Sequence, residues 1–157
     1  MKQELLFKPI REWLESQGFN AVVTGIKPNI IVPIADLLPT KVYLVPDVVG
    51  VKDNQVAVIE VETSLDKLTE VIGKCMVWKV CATLVYAAYL LEKCQRFRIL
   101  EALGIGLLGV TSKEVKEIVK IMPENSAGLF KVLELHPLDF SREAGLAHLI
   151  KSMLKCL

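Results

Sequence analysis

The chain has 157 residues, 52% of them hydrophobic and 24% charged, with a formal net charge of +1. This length and apolar supply suit one domain with strands buried on both faces, and the lack of any long polar or low-complexity stretch excludes a disordered chain. The balanced charge excludes a whole-surface attraction to polyanions, so any nucleic-acid footprint has to be local.

In chain order, residues 3–16 predict an amphipathic helix with Leu6, Ile10, Trp13 and Leu14 on one stripe and Gly18 as its stop. Glu12 lies beside that stripe, either turned toward the interior or solvated at its edge. Residues 20–26 read as a first strand. Residues 27–41 carry Pro28, Pro33 and Pro39, which forbid a long helix or a central strand. That segment reads as an apolar insertion with one short helical turn near 35–38. It would cover a sheet edge, make a dimer contact or flank a substrate.

Two β-branched runs, Tyr43–Val51 and Gln55–Val61, flank the turn signal Asp53-Asn54 and predict a hairpin. Alternation along the second strand points Val56, Val58, Glu60 and Glu62 to one face. A buried carboxylate without a partner is costly, so these acids call for compensation. A divalent cation shared with Asp47, which follows Pro46, is the simplest candidate. The plainer readings are a strand-end acid at Asp47 and a cross-strand ion pair for Glu60 and Glu62, with Lys41 or Lys74 as partner of Glu62.

Ser64 reads as the N-cap of a helix running to about residue 80, with Leu65, Leu68, Ile72, Cys75 and Met76 inside. Lys67, Lys74 and Trp78 share a neighbouring face. Lys74 is either a site residue or a solvated lysine, and Trp13 and Trp78 read as core. A strand over 83–90, a helix over 93–103 and a strand over 105–110 follow. The rhythm from 55 to 110 is α/β with parallel pairing. A helix over 112–122 is predicted next, capped by Thr111 or Ser112, with Val115, Ile118, Val119 and Met122 in register. A short strand over 129–135 and a last helix over 141–157 complete the reading.

The four cysteines, Cys75, Cys81, Cys94 and Cys156, form no C-x-x-C pair and have no zinc spacing with His136 or His148. They read as free thiols in a reducing compartment. The N-terminus is not a signal peptide, and the longest apolar stretch, residues 80–91, is too short to span a membrane. The expectation is a cytoplasmic protein with no membrane partner. No Gly-rich phosphate loop is present, since Gly104, Gly106 and Gly109 do not fit G-x-G-x-x-G.

Pro46-Asp47, then Glu60-Val61-Glu62 after a short turn, in the order helix–strand–hairpin–helix–strand, resembles the PD-(D/E)XK nuclease superfamily. That group includes restriction endonucleases and archaeal Holliday-junction resolvases. The resemblance covers residues 1–110 by architecture and a handful of residues by motif. It implies an α/β fold with a restriction-endonuclease-like mixed sheet flanked by helices, in a single domain whose segment 111–157 adds C-terminal α/β elements. It implies a metal-dependent endodeoxyribonuclease that uses Mg²⁺ or Mn²⁺, takes DNA as partner and forms a homodimer. By the same resemblance Asp47 and Glu60 ligate the metal with the Val61 carbonyl. Glu62 stands where the family has its lysine, Lys74 acts from the next helix, and Glu12 is an accessory acid on the first. The departure at Glu62 keeps a second reading open: a nuclease-like domain without catalysis, serving nucleic-acid binding or assembly.

Overall fold

A computed structural model describes residues 2–23, 32–33, 43–44, 46–53, 55–79, 82–94 and 97–123. The expected turn near 35–38, strand over 129–135 and final helix over 141–157 lie outside the described residues. Helix α1 (Glu4–Ser16) is followed by β1 (Asn20–Val23), β2 (Val32–Pro33), β3 (Tyr43–Leu44), β4 (Val48–Lys52) and β5 (Gln55–Val61). Then come α2 (Leu68–Trp78), β6 (Leu84–Leu90), α3 (Arg98–Ala102), β7 (Gly106–Val110) and β8 (Val115–Val119). The first expected run breaks at Pro46, so β3 pairs with β2 in a small ribbon while β4 joins the main sheet.

The main sheet has six strands in the order β1-β4-β5-β6-β7-β8. β1, β4 and β5 pair antiparallel, β5, β6 and β7 pair parallel, and β8 returns antiparallel. The protein is therefore α/β with a mixed sheet. The β4–β5 hairpin closes with Lys52 opposite Gln55 and with Asp53 at φ 49°, the left-handed geometry of a two-residue hairpin turn.

Parallel neighbours need crossovers, and α2 and α3 supply them on one face. There Val71, Cys75, Trp78 and Leu100 pack on Val49, Val58, Val85 and Tyr89. On the other face Leu6, Phe7, Ile10 and Leu14 of α1 cover Ala57, Ile59, Tyr86, Ala88 and Leu108. β5 and β6 are buried nearly end to end because both faces are covered.

The inner face of α2 differs from the expected one. Val71, Cys75 and Trp78 are buried, whereas Leu65 and Met76 are exposed. The helix begins only at Leu68, after a 3₁₀ turn at Leu65–Lys67 that Ser64 caps by accepting from the Asp66 amide. The expected helix over 93–103 reduces to a 3₁₀ turn at Leu91–Lys93 and the short α3.

The larger correction is β8, a strand where a helix over 112–122 was expected. The Thr111 hydroxyl does accept from the backbone N–H of Lys113 and Glu114, as a cap would. The Thr111 N–H, however, donates to the Glu114 carbonyl and closes a hairpin turn. A register shift opposite Leu107 and Leu108 then breaks the period of two. Val115 thereby joins the α1 side while Val119 joins the α2 side, a spacing that imitates a helix in sequence. β8 also carries the sheet past residue 110, the expected end of the core.

Candidate active site

The hairpin register decides which acids meet. Val48 pairs with Ile59 in the antiparallel β4–β5 ladder. One step further, Asp47 comes opposite Glu60 at the carboxyl end of β5, where β5 also runs beside parallel β6. That end is the usual ligand position in open α/β sheets. On β6, Ala87 pairs with Glu60 and leaves room beside the carboxylate.

Glu60 is 2% exposed and faces α2, as the alternation predicts. The Trp78 indole Nε1 donates to Glu60 Oε1 at 2.7 Å, and Lys74 Nζ lies 3.7 Å from Oε2. Lys74 also pairs with Glu70 at 3.2 Å along the helix. These partners do not offset desolvation. Burial, followed by the charge on Asp47, raises the Glu60 pKa to about 7 despite the opposing pull of Trp78 and Lys74. Asp47 is pushed up as well, mainly by burial, with the Val61 amide, Lys74 and Gln3 resisting. Burial works against the Lys74 ammonium, but Glu60, Glu70 and Asp47 together hold its pKa above the usual lysine value.

Asp47 Oδ2 accepts from the Val61 N–H at 2.8 Å and from the side-chain amide of Gln3 at 3.2 Å. The same Gln3 nitrogen donates to the Val61 carbonyl. Two hard oxygens expected to hold a metal, Asp47 Oδ2 and Val61 O, thus converge on a single donor atom.

Glu62 behaves differently. Its Oε1 accepts from the backbone N–H of Thr63 at 2.7 Å and of Ser64 at 3.1 Å, and its Oε2 pairs with Lys67 at 3.3 Å. Burial is outweighed by these backbone bonds and Lys67, and its pKa falls below the ordinary value. Both of its oxygens are held by its own turn and by Lys67 rather than by a site shared with Asp47 and Glu60. Among the described residues, no group of three His, Cys, Asp or Glu side chains is arranged to hold a metal. Of the two partners expected for Glu62, Lys41 lies outside the described residues and Lys74 binds Glu60 instead.

Glu12 is not brought to this group. It is exposed on α1 and pairs with Lys8 at 3.7 Å. Lys79 donates to the Gly104 carbonyl and Lys93 to the Thr63 carbonyl. Trp78 is core, as expected, and Trp13 packs edge-on against Tyr86. Cys75 and Cys94 are free thiols, each pushed up by burial, Cys94 to about 11. No helix among the described residues is long and apolar enough to cross a membrane.

Sequence reasoning missed Gln3 as a member of the site, and it missed a buried hydroxyl at Tyr89. Gln3 reads there only as the start of a helix, yet glutamine is a poor N-cap and its side chain makes no capping bond. Tyr89 reads as a buried strand residue. Its ring is fully buried, and its hydroxyl has no hydrogen-bond partner among the described residues. Burial, then the charge on Glu62, raises its pKa beyond the usual phenol range.

No protein-family model matches the chain, and no curated protein matches it by sequence. Two solved structures are similar in fold. One is the SPO1766 protein of unknown function from Silicibacter pomeroyi, 17% identical, with a TM-score of 0.59 over 87% of this chain and 86% of that one. The other is the protein of unknown function AF1548, 21% identical, with a TM-score of 0.50 over 96% of this chain and 79% of that one.

Proposed function

We propose that this protein is a metal-dependent nuclease of the PD-(D/E)XK type that hydrolyses phosphodiester bonds in DNA. The observation that carries the reading is Glu60, a carboxylate buried in a core strand, poised near neutrality, facing Asp47 across the hairpin and Lys74 from the next helix. Asp47, Glu60 and the Val61 carbonyl are hard oxygen donors suited to Mg²⁺ or Mn²⁺. A cation held there neutralises the scissile phosphate and lowers the pKa of an attacking water.

The chain's own residues divide the remaining work. Lys74, tied to Glu60 and Glu70, holds its ammonium at the edge of the carboxylate pair, the place from which the displaced family lysine would steady developing charge. Trp78 fixes the Glu60 carboxyl by one short hydrogen bond and keeps water from its inner side. Glu62, bound to the turn that starts α2, positions that helix and hence Lys74 and Trp78.

The test is cleavage of single-stranded, duplex and branched DNA with Mg²⁺ or Mn²⁺, by wild type and Glu60→Ala. Nicking by the wild type alone is expected. If neither metal supports cleavage by the wild type, the enzyme reading fails. A second reading has its own observation: the motif lysine is replaced by Glu62, whose oxygens already have partners. On that reading the domain binds nucleic acid or assembles, as a homodimer, without cutting. Binding without cleavage in either metal is its signature.

A further inference from the structure

The side chain of Gln3 reaches from the start of α1 to the centre of the carboxylate site. Its Nε2 donates to Asp47 Oδ2 at 3.2 Å and also to the Val61 carbonyl. The Asp47 carboxylate also accepts from the Val61 N–H, and the Gln3 side chain makes no capping bond on α1. Its amide is turned away from the helix and set against two oxygens.

Those two oxygens are ones on which the proposed metal site depends, so this inference rests on that reading. An –NH₂ group between a carboxylate and a carbonyl is the neutral counterpart of a small cation, because it presents positive hydrogens to both. The group is two-faced, since rotation about the last side-chain bond exchanges Nε2 for the carbonyl-like Oε1. With no cation, Oε1 facing Asp47 and Val61 O would set three acceptors together, so the donor face is held inward. With a cation between them, the acceptor face is favoured.

We infer that Gln3 is a ligand-bearing residue of the metal site: its amide donates to Asp47 and Val61 in the metal-free protein and turns Oε1 toward the cation on loading. Gln3 thereby couples the α1 layer to the opposite, α2-facing side of β5, where Glu60 sits. Loading then changes the tie between α1 and the hairpin, without any change in the core.

Titration of the whole chain with Mn²⁺ at pH 8, read by calorimetry and by Mn²⁺ spin resonance, tests the inference without DNA or turnover. Gln3→Leu keeps the size of the side chain but can neither donate nor ligate. It should bind Mn²⁺ about tenfold more weakly than wild type, the low end of the losses seen when groups that support a metal site are removed. Gln3→Glu supplies an anionic oxygen in the same place and should bind about tenfold more tightly. It also keeps the test alive if the leucine variant does not fold. Unchanged affinity in the variants overturns the inference, since Gln3 is then a structural tie. Tighter binding by Gln3→Leu also overturns it, since Gln3 is then a plug that competes with the cation. Wild type that takes up no Mn²⁺ ends the metal-site reading itself, whereas wild-type binding lost in Glu60→Gln but indifferent to Gln3 ends only the inference.

Discussion

Replacing Glu60 by glutamine should stabilise the metal-free protein above neutral pH. The carboxyl is 2% exposed and its pKa rises from 4.5 to about 7, chiefly through burial and then through Asp47. The folded state therefore holds this proton more tightly than the unfolded chain does. The corresponding stability is complete below pH 4.5 and drains away as pH rises toward 7, and the loss across that window is about 3 kcal/mol. Glutamine keeps an oxygen for the Trp78 indole and has no ionisation to suppress, while its –NH₂ takes the place of Oε2, 3.7 Å from the Lys74 ammonium. Lys74 loses one partner but retains Glu70 at 3.2 Å. Urea denaturation in the presence of a chelator, at pH 5 and pH 8, measures the difference between variant and wild type at each pH. Titrating groups remote from the site cancel in that comparison, whereas Asp47 and Lys74, which feel the Glu60 charge, do not. The two proteins should be close at pH 5, and the variant should gain about 2–3 kcal/mol at pH 8, roughly 4–12 °C in Tm for a chain of this size. A variant less stable than wild type at pH 8 would refute the reasoning. It would mean that ionised Glu60 and Lys74 form an ordinary structural ion pair, whose disruption costs about 3–5 kcal/mol.

Trp78 should report the same proton. With Trp13→Phe as background, its emission should titrate with a midpoint near pH 7, and Glu60→Gln should abolish the step. Lys74→Met removes the nearby cation that lowers the Glu60 pKa, so the midpoint should move upward, and metal-dependent cleavage should fall by about 100-fold. A midpoint that stays put would separate Lys74 from the carboxylate. Gly106→Ala would bring a Cβ to 2.2 Å from the Tyr86 ring, so it should cost about 3 kcal/mol in denaturation without altering metal affinity. Thr83→Val removes a hydroxyl that accepts from the Val56 N–H and donates to the Val56 carbonyl, and should cost about 1–3 kcal/mol at every pH. A pH-dependent cost would contradict that role.

Much of the site was written in the hairpin. A two-residue turn at 53–54 forces Lys52 opposite Gln55, and each further pair then follows until Asp47 meets Glu60. The helical spacing of Lys67, Lys74 and Trp78 also placed all three on the carboxylates. What sequence could not give was long-range. The Gln3 contact spans 44 residues to Asp47 and 58 to Val61, and no local pattern encodes it. Nor could Val115, Ile118 and Val119 declare themselves a strand, because a bulge reproduces the spacing of a helix and Thr111 uses the same hydroxyl chemistry for a turn as for a cap. Of the two readings of Glu12, turned toward the interior or solvated at the edge of the apolar stripe, the second holds: it is exposed and pairs with Lys8, one turn away.

Two buried polar side chains in the core of this fold, Glu60 and Thr83, show opposite logic. Thr83 is satisfied in both directions by the backbone of Val56, so its burial needs no purpose beyond holding β5 to the start of β6. Glu60 occupies a position where the run of Val56 and Val58 would place another valine, and its partners leave its charge undercompensated at neutral pH. The same corner holds Gln3, whose amide reaches Asp47 and Val61, and an aspartate set between a proline and a core strand. Gln3 and Asp47 meet at the end of β5, where Val61 follows Glu60 in the chain and Asp47 lies opposite Glu60 in the hairpin register. Breaches of local preference of the kind Glu60 shows are expected at functional sites, and that is the ground for the proposed reading. On the proposed reading, the stabilising effect expected of Glu60→Gln is what a carboxylate kept for metal chemistry would show, which makes a cation the first ligand to test.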